Sequence, residues 1–169
     1  MCWSGPVTEV IVGPAGVVDA GEILTVQRAA YVSEAQHYTD PFLPPLTETL
    51  DEVRTVLAGP TIVLAARAGH RLVGSVRARV ADDTAHVGRL SVAPDQQGRG
   101  VGSRLLGAVE SACAGRAVRL ELFTGAESAG NLRFYRRHGY RVVGHRPDQN
   151  GVRLAVLEKS LVSPVRSVP

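Results

Sequence analysis

A strand, a glycine-rich loop and the start of a helix follow one another in the middle of the chain. Residues 90–94 (LSVAP) end the strand, and residues 97–103 (QGRGVGS) lead into an amphipathic helix predicted from Val101 to about Ala114. The first amides of a helix have no partner inside it and carry the positive end of its dipole. Glycines let such amides approach an anion closely. The segment therefore predicts a phosphate-binding site made by the backbone.

Two common nucleotide-binding motifs do not fit this loop. A Walker A loop requires a lysine before its serine or threonine, and here Gly102 precedes Ser103. A dinucleotide-binding fingerprint requires a third glycine at the position that Ser103 occupies. The loop therefore belongs to another class of phosphate-binding site.

Hydrophobic periodicity and turn residues divide the chain into strands and helices. The predicted order is strand, two helices, three strands, helix, strand, helix and two strands, which is typical of a mixed α/β fold. The strands are predicted at residues 7–12, 61–67, 71–80, 86–92, 118–123, 140–145 and 152–157. The helices are predicted from Glu22 to about His37, Thr47 to about Ala58, Val101 to about Ala114 and Ser128 to His138. Thr47 and Ser128 are the expected N-caps, and Gly139 is the expected left-handed residue after the last helix.

Two motifs, in order and on the expected elements, resemble those of one enzyme superfamily. Residues 97–102 (QGRGVG) are similar to the acetyl-CoA loop of the GNAT N-acetyltransferases, Gln/Arg-x-x-Gly-x-Gly/Ala. Downstream, Asn131-x-x-x-Tyr135 followed by Gly139-Tyr140 is similar to the family's second marker. The resemblance implies one GNAT acyl-CoA N-acyltransferase domain at residues 1–162. Its fold would be a central, mixed and mostly antiparallel sheet of six to seven strands, flanked by about four helices. Residues 163–169, rich in proline and serine, are expected to form a disordered tail.

The same resemblance implies an acetyl-CoA-dependent N-acetyltransferase and gives roles to individual positions. The backbone N–H of Val92 would bind the thioester carbonyl, and Tyr135 would protonate the departing thiolate as general acid. Asn131 would hydrogen-bond the pantetheine arm, and its i,i+4 spacing from Tyr135 independently places both on one helix face. The cofactor-binding set is Leu90, Ser91, Val92, Gln97, Gly98, Arg99, Gly100, Val101, Gly102, Ser103, Asn131 and Tyr135.

The general base is not assigned. An alkylammonium must lose a proton before it attacks, usually to a carboxylate or a histidine. His86 on the fourth strand, Glu121 on the fifth and Glu127 before the last helix are candidates, and water is the alternative. Each of the three side chains also suits a structural role, so the choice stays open.

The acceptor site is expected near residues 31–60, because in the GNAT family this segment usually borders it. Arg54 is its only lysine or arginine. The segment also holds five carboxylates and three aromatic rings, namely Glu34, Asp40, Glu48, Asp51, Glu52, Tyr31, Tyr38 and Phe42. Such groups attract cations, so we expect direct attack by a small cationic primary amine in a ternary complex. Glu48, Asp51 and Glu52 could instead favour the start of a helix through its dipole.

Two other functions stay open. A protein N-terminal (Nα) acetyltransferase would share every motif above. A non-catalytic acyl-CoA-binding or sensor module is the alternative from another class, although Asn131 and Tyr135 argue against it.

Composition excludes several partners and compartments. No apolar run approaches the ~20 residues of a membrane span, and the start lacks the basic and apolar regions of a secretion signal. We therefore expect a cytoplasmic monomer or homodimer that does not bind membranes. Cys2 and Cys113 are expected to be a free terminal thiol and a core residue rather than a disulfide or metal pair, so no metal is expected. No basic run with interleaved aromatic residues supports nucleic-acid binding.

Overall fold

Seven strands form a single sheet in the computed structural model, which describes residues 9–161. They are β1 (Val10–Pro14), β2 (Ile62–Ala68), β3 (Arg71–Ala81), β4 (Thr84–Val92), β5 (Arg119–Gly125), β6 (Arg141–Pro147) and β7 (Arg153–Ser160). The sheet order is β1-β2-β3-β4-β5-β7-β6, and all neighbours are antiparallel except β4 and β5, which are parallel. This mixed sheet confirms the predicted fold class. Cys2, residues 7 and 8 of the first predicted strand, and residues 163–169 lie outside the described residues.

Helices cover both faces of the sheet. They are α1 (Ala20–Tyr38), α2 (Pro44–Thr47), α3 (Leu50–Ala58), α4 (Val101–Cys113) and α5 (Ala129–Arg137). On one face, a side chain added at Gly74 in β3 would meet Leu105 of α4. On the other face, Gln27 of α1 and Val53 of α3 line a small cavity with Ser75. β3 is therefore buried between two layers of helix, and α4 contributes the predicted apolar face, with Cys113 a buried free thiol.

The start of α3 differs from the prediction. Thr47 ends the short helix α2, and Thr49 is the N-cap of α3. The reason is a reciprocal pair: the Thr49 N–H donates to Glu52 Oε2 at 2.7 Å, and the Glu52 N–H donates to Thr49 Oγ1 at 3.3 Å. Leu50, three residues after Thr47, cannot return such a bond. These hydrogen bonds also hold the pKa of the exposed Glu52 carboxyl below its usual range.

A polar cluster joins α4 to the two last strands of the chain. The buried Tyr140 donates its hydroxyl hydrogen to Glu110 Oε1 at 3.0 Å. Lys159, the only lysine in the sequence, places its Nζ 2.7 Å from Glu110 Oε2. Gly139 has the left-handed backbone predicted for the residue after α5, with φ of 88°. The cluster therefore fixes the turn from α5 into β6 against α4.

Two features are absent from residues 9–161. None of the helices there is both long enough and apolar enough to cross a membrane. The same residues contain no group of three or more histidine, cysteine, aspartate or glutamate side chains placed to hold a metal ion.

Candidate active site

A cleft opens where β4 and β5 part. Their parallel pairing covers only Thr84–His86 with Arg119–Glu121, although β5 stays paired with β7 as far as Gly125. Beyond His86, the facing edges of β4 and β5 line a cavity of about 640 Å³. A parallel sheet that separates in this way leaves backbone groups on the edge of β4 available to an extended ligand.

An extra residue in β4 shapes that edge. Ser75 and Arg77 of β3 pair with Ser91 and Gly88, so three steps along β4 match two along β3. This is a β-bulge, and Arg89 at its centre has a left-handed backbone with φ of 52°. Bulges of this kind re-aim side chains and end regular pairing next to functional sites.

The amide of Val92 faces the cleft. The next amide, that of Ala93, donates to the Val73 carbonyl of β3 at 2.8 Å. Successive amides of a strand point in opposite directions, so the Val92 N–H points away from β3 and toward the open side. The Val92 carbonyl on that side accepts a hydrogen bond from Gln97 Nε2 at 3.1 Å, which ties the loop to the strand.

Backbone conformation explains the glycines of the loop. Gly98 and Gly100 have φ of 73° and 81°, and Gly100 is the N-cap of α4. An added Cβ would meet nothing within 4 Å at either position, so conformation rather than space requires glycine. Gly102 lies in the first turn of α4, where a Cβ would come within 3.5 Å of the Phe134 ring. The first turn of α4 therefore faces α5 across the cleft.

Most of the predicted cofactor-binding residues come together in this cleft. Its lining includes Leu90, Val92, Gln97, Gly98, Gly100, Val101, Gly102, Ser103, Asn131 and Tyr135. Ser91 and Arg99 do not line it. Ser91 is buried, and its hydroxyl donates to the Arg89 carbonyl at 3.1 Å, where it supports the bulge. Arg99 is exposed.

Helix α5 contributes Asn131 and Tyr135 from one face. Asn131 Nδ2 donates to Thr124 Oγ1 of β5 at 3.1 Å. Burial raises the pKa of the Tyr135 hydroxyl above its usual range, and the nearby Tyr31 and Glu34 raise it further. Tyr135 is therefore protonated at neutral pH and can act as a hydrogen-bond donor or an acid.

A cluster of Glu34, Tyr38 and Ser128 joins α1 to the start of α5, a contact that the sequence did not predict. Ser128 occupies the N-cap position of α5 but makes no capping hydrogen bond; its hydroxyl donates to Glu34 Oε1 of α1 instead. The Tyr38 hydroxyl accepts from the Glu127 N–H at 3.0 Å and lies 3.4 Å from Ser128 Oγ. Gly125 leaves room for Tyr38, since an added Cβ would overlap the Tyr38 hydroxyl. Helix α1 is thus fastened to the start of α5.

The three candidate bases lie elsewhere. His86 Nδ1 is 3.2 Å from Glu121 Oε1, on the paired part of β4 and β5. Neither residue lines the cleft, and neither does Glu127. The carboxylates that line it are those of Glu34 and Asp148.

Most of the expected acidic residues serve the fold. Of the five between residues 31 and 60, only Glu34 lines the cleft. Asp51 pairs with Arg54 at 3.0 Å on the surface. Glu52 caps α3, and Asp40 Oδ1 accepts from the Phe42 N–H at 2.9 Å. Among the aromatic residues, Tyr31 and Tyr38 line the cleft and Phe42 does not.

The remaining carboxylate, Glu48, is shared by two arginines. Its Oε1 lies 2.6 Å from Arg77 Nη2, and its Oε2 accepts from Gln27 Nε2 at 2.7 Å and lies 3.5 Å from Arg89 Nε. Burial acts to raise the pKa of Glu48, but the hydrogen bonds from Gln27 and Arg77 and the arginine charges hold it below its usual range. Glu48 therefore stays ionised and links the α2–α3 segment to the bulge of β4.

The sheet that opens between β4 and β5, with a glycine loop at one end, defines an acyltransferase fold. The family described as "Acetyltransferase (GNAT) domain" matches residues 30–161, and the chain belongs to this family. Membership confirms the enzyme class expected from the two motifs, an acetyl-CoA-dependent acyltransferase. No curated protein sequence shows a significant match.

Solved structures share this fold at low sequence identity. PaiA N-acetyltransferase from Thermoplasma acidophilum, in complex with coenzyme A, is 15% identical with a TM-score of 0.74, over 90% of this chain and 99% of that one. The ribosomal-protein-S18-alanine N-acetyltransferase from Escherichia coli is 14% identical with a TM-score of 0.76, over 95% and 99%. An aminoglycoside 6'-acetyltransferase type Ii is 21% identical with a TM-score of 0.72, over 91% and 99%.

Proposed function

We propose that the protein transfers the acetyl group of acetyl-CoA to a primary amine that carries a positive charge. The main support for this proposal is the cleft. It is bounded by the glycine loop at one end and by Glu34 at the other, with Tyr135 lining it as well. The coenzyme A complexes among proteins of the same fold support the choice of acyl donor.

The first part of the cleft suits coenzyme A. Backbone amides of residues 97–103, curled by the left-handed Gly98 and Gly100, would hold the pyrophosphate. The outward edge of β4 at Leu90 and Val92 would pair with the extended pantetheine arm, and Asn131 would hydrogen-bond it from α5. A volume of about 640 Å³ accommodates such an arm together with a small acceptor.

The chemistry is acyl transfer by direct attack. The amine nitrogen forms a bond to the thioester carbon while the bond from that carbon to sulfur breaks. The Val92 N–H donates to the thioester oxygen, on which negative charge develops. Tyr135 gives its proton to the leaving sulfur, so free coenzyme A thiol is the second product. The proton that the amine must lose goes to water or to a carboxylate lining the cleft.

The acceptor ammonium would be bound at Glu34. Ser128 holds Oε1 of this carboxylate, while Oε2 has no hydrogen-bond partner within residues 9–161. The rings of Tyr31 and Tyr38 line the same part of the cleft and offer faces to a cation. A protein N-terminus is the second candidate acceptor, since the E. coli enzyme named above has the same fold.

The test is release of coenzyme A thiol on mixing with acetyl-CoA and a panel of small amines and N-terminal peptides. We expect turnover of small primary amines, and Glu34→Gln should raise KM for the best amine roughly 10-fold. Faster turnover of peptides than of any small amine would favour the Nα-acetyltransferase. Binding of acetyl-CoA without thiol release for any acceptor would show a binding module instead.

A further inference from the structure

Arg89 lies between the main cleft and the small cavity beside Gln27, and its Nε is 3.5 Å from Glu48 Oε2. Its backbone is the left-handed centre of the bulge in β4, and its side chain is one-quarter exposed. Arg89 lines the main cleft together with Tyr31 and Glu34. A non-glycine residue with this backbone conformation carries strain, and such residues concentrate at functional sites.

Arg77 and Arg89 are not balanced by the one carboxylate that they share. Arg77 and Arg89 share the single carboxylate of Glu48, whose side chain is only 10% exposed. Glu48 is held closely by Arg77 and Gln27, whereas Arg89 contributes only its Nε, at 3.5 Å. Over residues 9–161, both terminal nitrogens of Arg89 are without a hydrogen-bond partner. The trio of Arg77, Arg89 and Glu48 carries one positive charge in excess, and a ligand carboxylate at the terminal nitrogens of Arg89 would compensate it directly.

The acceptor side of the cleft therefore contains a negative group, Glu34, and a positive group, Arg89. Tyr31 lines the cleft with both charged residues. Burial raises the pKa of its hydroxyl, the charges of Arg89 and Arg77 oppose that rise, and the charges of Glu34 and Glu48 add to it. Glu34 suits an ammonium group, and the two-nitrogen fork of a guanidinium suits a planar anion. A ligand that carries both groups would neutralise both residues at once.

We propose that Arg89 binds a carboxylate of the acceptor, so that the acceptor is an amine that also carries a carboxylate, as α-amino acids do. This inference deepens the proposed function and depends on it. A carboxylate is favoured over a phosphate because the excess is one positive charge. A phosphate carries nearly two negative charges and would face the carboxylates of Glu34 and Asp148. Arg89 is in this sense the specificity-determining residue of the acceptor site.

The kinetic test compares matched acceptors that differ only in the carboxylate. Each of several α-amino acids is assayed against its carboxamide and its decarboxylated amine. We expect kcat/KM to be roughly 10- to 100-fold higher for the amino acid, mostly through KM, since a charged hydrogen bond is lost in the others. Arg89→Gln should remove that preference and leave Glu48 with Arg77 and Gln27. Arg79→Gln, an exposed arginine in β3 outside the cleft, should keep it.

A binding measurement separates this inference from the proposed function. Calorimetry with the enzyme and coenzyme A should show tighter binding of an N-acetyl amino acid than of its amide, and Arg89→Gln should abolish the difference without changing acetyl-CoA affinity. If the wild type prefers the amide, the decarboxylated amine or a peptide, the carboxylate site is wrong. Thiol release with those acceptors would still support acetyl transfer. A preference that survives Arg89→Gln would overturn the role of Arg89.

Discussion

The two ends of the cleft are built in different ways. The end proposed for coenzyme A takes most of its groups from one continuous stretch, residues 90–103. Most of these groups are backbone amides whose direction is set by strand and helix geometry. The end proposed for the acceptor is made of side chains from α1, β4 and the start of α5, joined by contacts such as that between Glu34 and Ser128. Backbone recognition depends on local conformation, whereas side-chain recognition depends on the packing of distant elements.

The strongest test of the cofactor end is Gly100→Asp. The new carboxylate would stand at the expected pyrophosphate, on a backbone with φ of 81°. Repulsion of several kcal/mol should weaken acetyl-CoA binding more than about 100-fold, measured by calorimetry. Gly115→Asp is the matched control, because Gly115 has φ of 76°, open space at Cβ and no place in the cleft. Equal affinity in both folded variants would rule out the loop as the phosphate site.

Tyr135 is the proposed acid of the transfer step between the two ends. Tyr135→Phe should lower kcat by roughly 100-fold or more while acetyl-CoA affinity changes little, because the proposed role of the hydroxyl is to give a proton to the leaving sulfur. Since the pKa of Tyr135 is raised above about 10, its protonated form persists and wild-type kcat should show no loss of this acid between pH 8 and 10. An unchanged kcat in Tyr135→Phe, with chemistry shown to limit the rate, would remove Tyr135 from the mechanism.

Glu48→Gln tests how far the acceptor end depends on its buried ion pairs. Two arginines would lose their shared charge, and we expect about 2 kcal/mol less stability at pH 7 by urea unfolding, below the cost for a fully buried pair. Asp51→Asn, which breaks an exposed pair, should cost well under ~1 kcal/mol.

The pH dependence of the Glu48 contribution has a definite sign. The pKa of Glu48 is lower in the folded protein than in the unfolded chain. Its contribution to the free energy of unfolding is therefore present above the unfolded pKa of about 4.3 and is lost as the pH falls through the folded pKa. The gap in stability between wild type and Glu48→Gln should therefore close in acid. A gap that is constant from pH 7 to pH 3 would contradict this account.

The smallest expected effect concerns the boundary of α3 beside the acceptor end. Thr49→Ala should cost about 1 kcal/mol, since it removes the side chain that caps the helix. Thr47→Ala should cost less than ~0.5 kcal/mol, as an ordinary surface change does. Thermal unfolding of the two variants measures each loss of stability. A larger loss for Thr47→Ala than for Thr49→Ala would show that Thr47 is the N-cap, as the sequence pattern predicts.

Prediction from sequence succeeded where the signal is local. Gly98, Gly100 and the start of α4 follow one another along the chain, so their arrangement could be derived from loop and helix geometry. Ser91 is among the predicted cofactor-binding residues because of its position in the motif. Alternate residues of a strand face opposite sides, so Ser91 faces the core while Val92 faces the cleft.

Prediction was weaker where contacts are distant in sequence. Glu34 and Ser128 are 94 positions apart, and no pattern within α1 or before α5 indicates that they meet. Glu48 has the sequence context of an exposed residue before a helix. It is buried because Arg77 and Arg89 approach it from β3 and β4, which is a property of the packed sheet.

The ion pair between Lys159 and Glu110 has a consequence for self-modification. An enzyme that holds a reactive thioester exposes its own amines to acetylation, and this chain has a single lysine side chain. That amine is bound at 2.7 Å by a carboxylate and is less than one-third exposed, with the Tyr140 ring beside it. An amine held in an ion pair with a carboxylate is a poor nucleophile. The protein therefore offers almost no side-chain amine to compete with the acceptor, and amine-reactive labels should modify Lys159 slowly.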